Sequence, residues 1–240
     1  ILMLAAGCGS PEDKKAGFME KGQALFEQKD YVKANLEFKN AAQIDPEYAP
    51  AYFWLGRTAL AEKSFQQAFK FFGKAVSLDP EHIEARVELA RILVSARQAM
   101  KAEEHINFVL EKDPSHSKAN LLRATVDLTA KKVSSARAVL AAMKERGDTL
   151  PEMYMLLATV AGLEKNWAGM GEELEAGIEK NPDSVPLLAR MAGLQVTRKE
   201  FDKAEATMEK IIGLEPDKTA HKLGMARLFL IQKQVDRATQ

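Results

Sequence analysis

APAYFWLGRTALAEKSFQQAFKFFGKAVSLDPEH, residues 49–82, decides how the whole chain is read. Apolar residues recur at helical spacing in two segments of about a dozen residues each, on either side of a polar turn at Glu62–Ser64. Asp79-Pro80 closes the second segment. The pattern predicts a helical hairpin. With Ala49 as position 1, Leu55 and Gly56 are positions 7 and 8, Ala68 is 20, Phe72 is 24, Ala75 is 27 and Pro80 is 32.

The same register recurs every 34 residues. Position 32 is Pro46, Pro80, Pro114, Asp148, Pro182 and Pro216; position 8 is Gly22, Gly56, Ala90, Ala124, Ala158, Ala192 and Ala226. Position 20 is Ala34, Ala68, Ala102, Ala136, Met170, Ala204 and Ala238. Two helices approach to roughly 8–10 Å between axes only where small residues meet, which gives positions 8 and 20 a packing cause. Proline at 32 lacks an N–H and restricts its predecessor, so it stops the second helix. Pro50, Pro151 and Pro186 fall at the start of a following first helix, where the missing N–H costs little.

These positions resemble the tetratricopeptide repeat, a pair of helices, A and B, stacked on copies of itself. The resemblance covers residues 15–240, with repeats beginning at Lys15, Ala49, Ile83, Ser117, Pro151, Val185 and Thr219, the last one truncated. It implies an all-α fold, a right-handed α-solenoid of stacked helix-turn-helix hairpins. Repeat 4 ends in Arg146-Gly147-Asp148-Thr149, so Gly147 is expected to supply its stop. Repeat 5 departs furthest, with Trp167, Met170 and Gly177 at positions 17, 20 and 27, and local repacking is expected there.

Charge is balanced, 34 basic residues against 34 acidic, which gives no reason to expect nucleic acid as a partner. No stretch reaches the roughly 18 apolar residues that span a bilayer. The apolar start Ile1–Gly7 reads as the remnant of a secretion signal, and residues 8–14 as a lipidation site and tether. Ala5-Ala6-Gly7-Cys8 resembles the lipobox of bacterial lipoproteins, which implies lipid on Cys8, the one cysteine. Leu4 lies one place before the leucine position that family prefers.

No catalytic constellation is found. The four histidines are scattered, no metal-ligand spacing or phosphate loop occurs, and neither a cofactor nor a metal is expected. Glu172, Glu173 and Glu175 read as a solvated face. Function is therefore expected on surfaces. In the family resembled, A-helix positions 2, 5, 9 and 12 line a concave groove for a protein or peptide partner. Carried over, they give Met19, Gln23 and Phe26; Phe53, Arg57 and Leu60; Glu84, Val87, Arg91 and Val94; Leu121, Thr125 and Leu128; Met155 and Thr159; Val196; and Leu223 and Arg227. Arg57 and Arg91 read as ligand-binding, since guanidinium groups suit carboxylates and carbonyls and a core has no use for them.

Position 15, usually glycine in the family, is Lys29, Lys63, Arg97, Lys131, Lys165, Lys199 and Lys233. A cation at a helix C-terminus gains a few tenths to about 1 kcal/mol, which suffices to explain it. Stacking would also align these bases along one edge, as a rail for an anionic polymer or membrane surface. The start of the chain and the EQKDYVKANLEFKNAAQIDPEYAPAYFWLGR run are similar to bacterial lipoproteins of this repeat type, including those of exosortase and exopolysaccharide systems. Pilus-assembly and outer-membrane-assembly lipoproteins share the plan. The resemblance implies a non-enzymatic scaffold, lipid-anchored in a bacterial envelope and facing the periplasm, on the outer membrane. The alternatives are a cytoplasmic adaptor, or the targeting arm of an enzyme such as a glycosyltransferase whose catalytic domain lies beyond residue 240.

Overall fold

The computed structural model describes residues 10–238. Among the described residues are fourteen helices and no strand. In chain order they are α1 (Pro11–Glu27), α2 (Tyr31–Ile44), α3 (Ala49–Ala61), α4 (Phe65–Leu78), α5 (Ile83–Ser95), α6 (Ala99–Lys112) and α7 (Ser117–Thr129). Then follow α8 (Val133–Glu145), α9 (Pro151–Leu163), α10 (Trp167–Lys180), α11 (Val185–Thr197), α12 (Phe201–Leu214), α13 (Thr219–Ile231) and α14 (Val235–Ala238). Odd-numbered helices are the A members of the expected hairpins. Two compact units divide between Leu122 and Arg123, inside α7. In the first, α1 packs on α2, α3 on α4 and α5 on α6, while α2 packs on α3 and α4 on α5. The second repeats the scheme from α8 and α9 through α13 and α14.

The crossings are as close as the small residues require. Ala34, Ala68 and Ala102 in the first unit and Ala136 and Ala204 in the second are wholly buried. A methyl group on Gly22 would come within 2.5 Å of the Phe38 ring, and one on Gly56 within 2.6 Å of the Phe72 ring. Where position 24 holds Ile106, Leu140, Leu174 or Met208 instead, position 8 holds alanine. Repeat 5 repacks as expected. Met170 is buried at the crossing, and Gly177 leaves room for Tyr154, whose Cβ would lie 2.7 Å from an added methyl.

Each A-to-B turn ends alike. Lys29, Lys63, Arg97, Lys131, Lys165, Lys199 and Lys233 all take φ between 57° and 62°. At the second of these, Lys63 N–H donates to Leu60 O at 2.9 Å and Ser64 N–H to Ala59 O at 2.7 Å, closing the helix with a left-handed residue. The position therefore asks for left-handed backbone first, and the dipole attraction only offsets the cost of meeting that demand with a side chain. That cost is about 1–2 kcal/mol, against at most about 1 kcal/mol from the dipole. Lys63→Gly is expected to raise stability by about 0.5–1 kcal/mol, read as a higher melting temperature. A lower one would show that the cation outweighs the backbone.

The B-to-A turns are built differently. Asp45, Asp79 and Asp113 each accept an N–H from two residues on, at 3.1, 3.0 and 2.9 Å, and the proline follows. Position 4 of the next helix then donates back to the proline carbonyl: Tyr52 to Pro46, Arg86 to Pro80 and Asn120 to Pro114, at 3.1, 2.7 and 3.0 Å. Gly147, with φ 94°, ends α8 as its sequence context implied. At the start of the chain the expected tether is shorter. Residues 11–14 are helical, because Ser10 caps α1 and exchanges hydrogen bonds with Asp13 while Pro11 takes the first turn. Cys8 and residues 1–7, expected to be the remnant of a secretion signal, lie outside the described residues.

Lys15, also buried, reaches Asp45 at 2.7 Å and Glu12 at 2.8 Å and sits 4.4 Å from the Tyr48 ring centre. Its bond to Asp45, and then that to Glu12, holds the ammonium above its ordinary value. The same ammonium, and then Glu47 N–H, holds Asp45 below its own. The pair's contribution is complete between the two unfolded values, 3.8 and 10.5. It is lost as pH falls through the depressed Asp45 value or rises through the elevated Lys15 value. Asp45→Asn should lower the urea midpoint at neutral pH, and the gap to the parent should close below about pH 4. A gap that persists in strong acid would refute the assignment.

Candidate functional site

Successive A helices of the first unit border an open pocket of about 450 Å³. Phe53 and Arg57 of α3, Glu84, Val87 and Glu88 of α5, and His116, Ser117 and Lys118 at the start of α7 line it. The floor is apolar. Phe53 is half-buried with its ring 5.8 Å from Phe72 and 4.8 Å from His82, and Val87 is 5% exposed. The rim carries both signs of charge, Arg57 and Lys118 against Glu84 and Glu88.

Arg57 is the best-prepared of these groups. Its guanidinium lies 4.9 Å from the Phe26 ring centre and 4.8 Å from that of Trp54, and those two rings meet edge to face at 5.4 Å. Among the described residues none accepts a hydrogen bond from it. The aromatic pair thus holds the guanidinium in place while its N–H donors stay available for a carboxylate or carbonyl. On the other side, Glu88 accepts Arg91 Nε at 2.9 Å and a terminal nitrogen at 2.6 Å. His116 Nδ1 accepts Ala119 N–H at 3.2 Å, and His82 Nδ1 accepts Ala85 N–H at 3.4 Å, so both rings cap helices.

Of the expected groove residues, Phe53, Arg57, Glu84 and Val87 come together in this pocket, and Phe26 supports Arg57 from below. Met19 belongs to the core: it is 6% exposed and clusters with Phe38 and Leu55. Leu60 packs half-buried against the next core cluster, and Gln23 is exposed. Arg91 is corrected as a free ligand group, since Glu88 one turn back already engages it. Leu121 and Thr125 are half-buried on α7, Met155 is half-buried on α9, and Arg227 is exposed on α13; none of the four lines the pocket. Glu88, His116, Ser117 and Lys118 were missed. Lys118 stands at position 2, inside the groove rule, whereas the other three are at positions 6, 34 and 1.

Family models described as tetratricopeptide repeat match residues 25–68, 59–107 and 87–151. Among solved structures, a tetratricopeptide repeat protein from Parabacteroides merdae is similar at 18% identity and TM-score 0.72, over 94% of this chain and 90% of that one. PilF of Pseudomonas aeruginosa is similar at 15% identity and TM-score 0.69, over 90% of this chain and 99% of that one. PilW, described as a widely conserved type IV pilus biogenesis factor, is similar at 15% identity and TM-score 0.72, over 85% and 94%. At such identities the likeness is one of fold. No curated protein sequence matches significantly.

Proposed function

Because the chain belongs to the tetratricopeptide repeat family, whose domains bind protein or peptide partners, we propose that it is a non-enzymatic scaffold gripping a peptide segment in the α3–α5–α7 pocket. The observation that carries this reading is Arg57, lying against the Phe26–Trp54 ring pair with its donors unspent above an apolar floor. An apolar side chain enters over Phe53 and Val87, and a carboxylate or backbone carbonyl meets the Arg57 fork. Selection of displayed peptides on the chain, followed by titration against Arg57→Ala, tests it. Selected peptides that bind the variant as tightly as the parent would place the site elsewhere.

The finer part of the proposal is a lipid-anchored scaffold facing the periplasm, serving cell-envelope assembly or polysaccharide export. Its support is the lipobox-like Ala5-Ala6-Gly7-Cys8, together with the fold shared with PilF and with the pilus biogenesis factor PilW. Expressed in a bacterium behind a complete lipoprotein leader, the protein should incorporate labelled palmitate, and Cys8→Ser should abolish the label. Equal labelling of the variant would exclude anchoring through this residue.

A further inference from the structure

In the first unit, helices α2, α4 and α6 all begin at one edge, because the hairpins stack in register and each A-to-B turn lies there. Lys29, Lys63 and Arg97 stand at the tips of those turns. All three are exposed, left-handed and without an ion pair to any described residue. Within three residues of each tip an apolar side chain points to solvent: Val32 is 75% exposed, Phe65 57% and Met100 85%. One turn further, Leu36 on α2 and Phe69 on α4 are 58% and 40% exposed. The edge is therefore a row of cations with protruding apolar groups beside them, on a chain whose formal net charge is zero.

We propose that this edge docks on an anionic lipid surface. The physical match is that cations meet headgroup phosphates while the apolar groups beside them enter the boundary with the acyl chains. Helix α4 carries the centre of the contact: it has no acidic residue, and Lys70 and Lys74 are exposed on it. The acid nearest the first tip, Asp30, is engaged by Lys33 at 2.8 Å. Glu62 opposes Lys63 locally, and Glu103 and Glu104 weaken the α6 end, so α2 and α4 dominate. A protein partner is the poorer fit, since interface anchors cluster at the centre of a contact and these side chains stand at separate tips. The contact is independent of lipid on Cys8 and of the peptide pocket, which is lined by A helices.

The left-handed tips supply a clean variant. Lys29→Gly, Lys63→Gly and Arg97→Gly together remove three charges at positions whose backbone favours glycine, so the fold should be retained or strengthened. The chain carrying Cys8→Ser, to exclude acylation, should co-sediment with vesicles of phosphatidylglycerol mixed with phosphatidylcholine, and not with phosphatidylcholine alone. High salt should weaken the binding. The triple glycine variant should bind at least about tenfold more weakly. Phe65→Ser with Phe69→Ser should also weaken vesicle binding, with the circular dichroism of the parent. Unchanged binding by the glycine variant, or no preference for phosphatidylglycerol, would overturn the proposal. So would retention on a soluble acidic polysaccharide that the phenylalanine variant leaves intact while vesicle binding is equally unaffected, because the partner would then be a polymer.

Discussion

Phe72→Ala is expected to cost about 3–5 kcal/mol, since the ring is wholly buried at the α3–α4 crossing and its removal leaves a cavity the stacked hairpins cannot close. Its partner makes the sharper test. Gly56→Ala adds one methyl where the Phe72 ring already stands within 2.6 Å. Overpacking costs about 1–3 kcal/mol, whereas alanine gains about 1 kcal/mol in helix propensity. A net loss is expected because the ring is rigid and enclosed. Combining Gly56→Ala with Phe72→Leu should recover most of that loss, since Ala124 with Leu140 and Ala158 with Leu174 hold the same two positions in repeats 4 and 5. A double-mutant cycle in urea, followed by tryptophan fluorescence, should give a coupling of about 1 kcal/mol or more. Additive effects would mean that the two residues do not define the crossing.

Arg57→Ala is expected to weaken a pocket-bound peptide by about 2 kcal/mol, roughly thirtyfold, in the range of interface anchors. The variant loses two things at once: a charged fork and the lid over Phe26 and Trp54. Arg57→Lys separates them. A lysine keeps the charge without the planar donors, so it should recover little if the ligand group is a carboxylate held by two bonds. Stability should fall by no more than about 1–2 kcal/mol in Arg57→Ala, from the two ring contacts alone, as no described residue accepts a hydrogen bond from Arg57. Arg91→Ala is the control, for its guanidinium is already spent on Glu88.

Arg57 and Arg91 share position 9 and look alike by register, which is why both read as ligand groups. What separates them stands three residues earlier, Trp54 in one repeat and Glu88 in the other: an aromatic shelf leaves the donors open, and a carboxylate takes them. The hairpins themselves were legible because packing at positions 8 and 20 tolerates so few side chains. The turn at position 15 was legible only in part, since lysine there hid a backbone requirement that glycine would have announced. Met19 shares position 5 with Phe53 but fills the core beside Phe38, a difference made by tertiary neighbours rather than by spacing. The early start of α1 was written in Ser10, Pro11 and Asp13, a cap and first turn mistaken for a tether.

The pocket is the centre of the functional reading, and hydrogen–deuterium exchange with a selected peptide reaches it most directly. Slowed exchange confined to α3, α5 and the first turns of α7, and abolished by Arg57→Ala, is the expected result. Slowing on the B helices α2, α4 and α6 instead, or slowing that persists unchanged in Arg57→Ala, would contradict it.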